Sequence, residues 1–99
     1  MNNTLSLLGL IYRANKLYLG ENCLDNISKV RYLFIASDAS DSTKERYLKK
    51  CKYYNIPYNL QYPSQDLASA LGKNNVKVIG VFDKGFTNVL LNKIKKEED

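Results

Sequence analysis

The sequence predicts an α/β fold, a three-layer α/β/α sandwich around a small mixed four-stranded sheet. Two apolar runs, Arg31-Tyr32-Leu33-Phe34-Ile35-Ala36 and Lys77-Val78-Ile79-Gly80-Val81-Phe82, are rich in β-formers and too short for ordinary helices, so both read as buried strands. Amphipathic stretches with apolar residues three and four apart surround them. Such alternation along 99 residues sets helices on both faces of a sheet.

Leu5, Leu8, Ile11 and Tyr12 mark a helix over 4–15, with Asn3 or Thr4 able to cap it. A brief strand over 16–19 ends at Gly20, and a short helix follows over 21–28. After the strand at 31–36, Ser42 and Glu45 form a capping-box pair that opens a helix running to Tyr54, where Pro57 forbids continuation. Tyr47, Leu48, Cys51 and Tyr54 share its apolar stripe, while Lys44, Arg46, Lys49, Lys50 and Lys52 mostly take the solvated side. A short strand over 58–62 leads to a helix capped by Ser64 and stopped by Gly72. After the strand at 77–82, Phe86, Val89, Leu90 and Ile94 define the last helix, and the charged tail 95–99 is expected to fray. Neither a Pro/Gly/Ser linker nor a repeat divides the chain, so one domain is expected over 1–99.

The composition narrows the function. No histidine is present, which removes the commonest general base and metal ligand, and no serine, threonine or cysteine has an evident activating partner. Asp38 and Asp41 in a polar loop suit capping better than acid/base chemistry. No catalytic residues, metal site or cofactor are therefore expected. Cys23 and Cys51 read as free thiols in a reducing compartment. The N-terminal apolar segment is too short for a signal peptide or a membrane span, so a cytoplasmic protein with no membrane partner is expected. Fifteen Lys and Arg against ten Asp and Glu leave a net charge of +5, a surplus that attracts polyanions.

Gly20-Glu21-Asn22-Cys23 is the segment with most chemical content. A glycine before a helix allows close backbone approach, and the first turn offers N–H groups to an anion. Asn22 adds an amide able to read a base edge. Read from the residues alone, the plainer account, Gly20 as a turn and Asn22 as a cap, stands ahead of an anion site.

The segments LYLGEN, YLFIASDAS, CKYYNIPY, SQDLASALGK and VKVIGVFDKGF, in this order and spacing, resemble the kink-turn-binding ribosomal protein family, and most closely its bacterial YlxQ-like branch. The resemblance runs from about Leu8 to Leu91. It implies the α/β/α sandwich and binding, without catalysis, of sharply kinked structured RNA, ribosomal or regulatory, with tandem sheared G·A pairs beside the bend. Ribosomal or ribonucleoprotein partners are implied too, and the protein is expected to act as a monomer. The family's Gly-x-Asn-Glu turn falls on Gly20, Glu21, Asn22 and Cys23, with Asn26 on the same short helix; Cys23 departs from the pattern, and a thiol accepts hydrogen bonds poorly. That helix is also about three residues shorter than in relatives, between Ile27 and Val30. A second contact, the loop that covers a flipped-out nucleotide, falls on Asn74, Asn75, Val76 and Lys77. Asp38 is expected to buttress this face or cap a helix, and Lys16, Lys29 and Arg31 to supply nearby phosphate contacts. An alternative is a protein-interaction module on the same fold, suggested by Cys23 and by eight tyrosines.

Overall fold

A computed structural model describes residues 3–98. The chain runs α1 (Asn3–Arg13), β1 (Leu17–Leu19), α2 (Glu21–Asp25), a 3₁₀ turn (Ile27–Lys29), β2 (Tyr32–Ile35), α3 (Asp41–Tyr54), β3 (Tyr58–Asn59), α4 (Ser64–Leu71), β4 (Val78–Val81) and α5 (Lys84–Glu98). The sheet order is β1-β4-β2-β3. β4 pairs antiparallel with both β1 and β2, and β3 joins β2 in parallel, giving the mixed sheet expected.

Every residue of β2 and β4 is buried, as befits central strands covered on both faces. Leu33 lies opposite Gly80, and Gly80 opposite Tyr18, so these three point to one face. A Cβ on Gly80 would sit 3.0 Å from Val30 and 3.2 Å from the Cys23 sulphur, which identifies that face as the one under α2, the 3₁₀ turn and α3. The opposite face carries Phe34 and Ile79, also buried; α1, α4 and α5, with α1 packed on the other two, supply its cover. Phe34 continues there into an aromatic row, with ring centroids 5.0 Å from Tyr32 and 6.3 Å from Tyr62.

Several helix ends differ from their sequence signatures. Ser40, not Ser42, caps α3, accepting the Thr43 N–H at 3.2 Å, because the helix begins at Asp41 and Ser42 lies inside its first turn. Ser64 is the first residue of α4 and donates both its N–H and its hydroxyl to the Asp38 carboxylate, each at 2.8 Å, so the cap comes from the β2–α3 loop. Asn55 and Gly72 end α3 and α4 in the left-handed conformation. Asp83 caps α5 through the Phe86 N–H at 2.9 Å. Tyr54, expected on the apolar stripe of α3, is exposed as the last residue of the helix, whereas Tyr47 and Cys51 are buried. The strand expected at 58–62 is confined to two residues. Residues 95–98 extend α5, where Lys95 and Lys96 complement the helix dipole; Asp99 lies outside the described residues. Among those residues no helix is long and apolar enough to cross a membrane.

α1 approaches α4 at Gly9, where an added Cβ would lie 2.7 Å from the Ala70 carbonyl oxygen. Alanine raises helix propensity by about 1 kcal/mol, but separating two packed helices costs about 1–3 kcal/mol. Gly9→Ala is therefore expected to be net destabilising in urea unfolding; equal or greater stability would show that the contact yields freely.

Candidate nucleic-acid interface

β1 ends in a turn that only glycine adopts easily. Gly20 has φ 54° and ψ −131°, and its N–H donates to Val78 O at 3.1 Å, tying the turn to β4. Its carbonyl accepts two hydrogen bonds, from Cys23 N at 2.9 Å and from the Tyr47 hydroxyl at 3.0 Å. The next residue is gripped from the same helix, Arg46 Nη2 meeting Glu21 Oε1 at 3.0 Å. Burial, then the neighbouring Cys23 and Glu21, push the Tyr47 hydroxyl up to about 12, so it stays a donor at neutral pH.

Asn22 projects from this fixed turn, exposed, with its side-chain amide unpartnered within the described residues. The Asn26 side chain donates to Asn22 O at 3.0 Å, closing the five-residue helix. A 3₁₀ turn over Ile27–Lys29 follows it directly. Cys23 does not join the exposed surface. It is fully buried against Gly80, its thiol 3.4 Å from Tyr18 O, because the third residue of α2 faces the sheet. Burial pushes that thiol up to about 12 and the thiol of Cys51, also free and buried, up to about 11.

The second expected contact stands beside the turn. A groove of about 350 Å³ is lined by Leu19 and Gly20 on one side and by Lys73, Asn75, Val76 and Lys77 on the other. Asn74 and Asn75 are exposed, whereas Val76 is buried and contributes to the groove wall. Lys77 O accepts from Ala36 N at 2.7 Å, which fixes the loop to the end of β2. Lys77 Nζ lies 3.3 Å from Ser64 Oγ and 3.8 Å from Asp38. Asp38 thus buttresses this end while capping α4 rather than α3; the Ser64 amide and hydroxyl, aided by Lys77, hold its carboxyl below its ordinary value.

Lys29 and Arg31 are not part of this cluster, whereas Lys16 adjoins the depression in which Asn22 meets Asn15, Leu17, Tyr18 and Phe82. Lys16 O accepts from Phe82 N and Arg31 N donates to Val81 O, so both flank the far end of β4. Lys29 and Arg31 line a separate groove with Lys84. β1 and β2 carry the chain between the two ends, over roughly 10–16 Å at the rise of a strand. Arg46 and Tyr47 were not legible as site residues, since no local spacing marks a bond between positions 27 apart. Among the described residues no cluster of three or more histidine, cysteine or acidic groups could hold a metal.

Over 88 residues the chain is 33% identical to RNA-binding protein YlxQ of Bacillus subtilis (strain 168), covering 86% of this chain and 88% of that protein. It is 35% identical over 85 residues to RNA-binding protein YlxQ of Enterococcus faecium, covering 83% and 82%. The chain belongs to the YlxQ family. No family model matches it. Among solved structures, a protein of unknown function from Bacillus halodurans superposes with TM-score 0.86 at 38% identity, covering 96% of this chain and 99% of that one. The 15.5kD RNA binding protein of Giardia lamblia superposes with TM-score 0.76 at 22% identity, covering 95% and 83%, and shares the fold.

In this YlxQ-family turn, a Cβ at Gly20 would meet no atom within 4 Å, so Gly20→Ala tests backbone strain alone. A loss of about 1–3 kcal/mol in denaturant unfolding is expected; wild-type stability would mean the turn relaxes without cost. The buried thiols give a pH dependence. The unfolded chain releases their protons from about pH 9, while the folded chain keeps them to about 11 and 12, so alkali favours the unfolded state. Stability in reductant should fall between pH 9 and 12, and less steeply in Cys23→Ala/Cys51→Ala; identical slopes would contradict this origin.

Proposed function

We propose that the chain binds structured RNA of the kinked, kink-turn type through the Gly20–Asn22 turn and the Asn74–Lys77 loop, adding no chemistry to it. The observation that carries this reading is the exposed, unpartnered amide of Asn22 on a backbone held by β4 and α3: Gly20 of the same turn lines the groove walled by the second loop, while Asn22 lines a neighbouring depression with Tyr12, Tyr18 and Phe82. An amide presented in this way donates and accepts at once, the pattern needed to read a base edge. The two YlxQ relatives, both named as RNA-binding proteins, support RNA as the ligand class. Lys73 and Lys77 border the groove and suit phosphates, while Asn74, Asn75 and the Val76 backbone suit a nucleotide turned out of the helix. Because Cys23 points into the core, recognition rests on Asn22 without the carboxylate that the kink-turn pattern carries at the next position. We further propose that residues 1–99 act as one domain, monomeric and cytoplasmic, in a ribosomal or regulatory ribonucleoprotein.

Calorimetric titration with a standard kink-turn RNA and a plain duplex tests this. Asn22→Ala should lose about 1–3 kcal/mol on the kinked RNA and little on the duplex. The wild-type affinity should fall linearly with salt on a log–log plot. If the duplex binds as tightly as the kinked RNA, the reading is lost.

A further inference from the structure

Lys29 and Arg31, which lie away from the turn, belong to a second surface. Lys29 and Arg31, with Lys84 from the start of α5, line a groove of about 650 Å³ at the end of the sheet opposite Gly20. Its wall includes Tyr54, which also lines a shallower depression of about 440 Å³ with Lys49, Lys50 and Tyr53. Tyr54 stands between the two concavities and lines both.

Three properties set this surface apart. Five cations and two tyrosines line it, and no carboxylate does. Asp83, adjacent in sequence, is turned inward to cap α5. None of the five cations has an ion-pair partner among the described residues, whereas Arg46 and Lys77 at the other end are both engaged with carboxylates. The rings are also unusually open: Tyr53 is 78% exposed and Tyr54 40%, edge to face with centroids 4.8 Å apart.

Unpaired cations along a groove track a phosphate backbone, and exposed rings beside them offer platforms for bases. In a duplex the base faces are already stacked on one another, so only unpaired nucleotides can use such rings. We infer that this surface is a second RNA site that takes a single-stranded segment, with bases stacked on Tyr53 and Tyr54 and phosphates held by Lys29, Arg31 and Lys84. It builds on RNA as the ligand class but is independent of the kinked-RNA site.

The test uses fluorescence anisotropy with a labelled oligouridylate of about ten nucleotides, within the range one such domain covers, and in parallel with the kink-turn RNA. Wild-type protein should bind the oligouridylate at low salt. Tyr53→Ala/Tyr54→Ala should weaken that binding about tenfold or more, and Tyr53→Phe/Tyr54→Phe should retain it. Lys29→Gln/Arg31→Gln/Lys84→Gln should make the log–log salt dependence shallower by about two, the expectation for three lost phosphate contacts on a single strand. Asn22→Ala should leave oligouridylate binding unchanged. Failure of the kinked-RNA reading would appear as an unaltered kink-turn affinity in Asn22→Ala, with the oligouridylate results intact. The second site is overturned if wild-type protein does not bind the oligouridylate, if a plain duplex competes for it equally, or if the alanine pair, shown folded by circular dichroism, binds within twofold of wild type.

Discussion

The molecule is organised by the pairing of β4 on both of its edges. Because β1 and β2 both run against it, one set of chain ends, Gly20, Ala36 and Lys77, gathers at one end of the sheet. The other set, Lys16, Arg31 and Phe82, gathers at the opposite end. The strand is buried on both faces, so this register is strongly specified: a one-residue slip would turn its side chains to the wrong layers. Gly80 makes the arrangement compact, since the absence of a side chain there lets Cys23 and Val30 descend onto the sheet.

From that frame follows the rigidity of the turn at Gly20. A short helix of five residues cannot hold its own shape in water. Here it is held from below by the bond to Val78 and from the side by Tyr47 and Arg46 of α3. The arrangement preorganises Asn22, so a ligand that uses its amide does not bear the cost of ordering the backbone that presents it. The 3₁₀ turn at Ile27–Lys29 then returns the chain to β2 with one Val30 side chain packed over Gly80.

Much of this was legible in the sequence, and the failures have identifiable causes. The two central strands announced themselves because burial on both faces demands continuous apolar runs. The resemblance pointed to Gly20, Asn22 and residues 74–77, and of these the groove brings together Gly20, Asn75, Val76 and Lys77. Capping was misplaced where the partner is distant: Asp38 and Ser64 are 26 positions apart, and nothing local predicts their bond. Tyr47 reads as one more apolar residue on a helical stripe, since its ring is indeed buried and only its hydroxyl does something else. Lys29 and Arg31 are close to Gly20 in sequence, but α2 and the 3₁₀ turn carry the chain across the sheet between them, to the end where Arg31 N donates to Val81 O.

The inward orientation of Cys23 reaches beyond recognition. Oxidants and electrophiles attack the thiolate, and a sulphur whose ionisation is pushed up to about 12, in a side chain with no exposed surface, presents almost none at neutral pH. The side chains that surround the groove at Gly20 are amide, ammonium and aliphatic groups. A surface assembled in this way is blind to the redox state of its surroundings, even though a cysteine occupies the middle of the segment that shapes it.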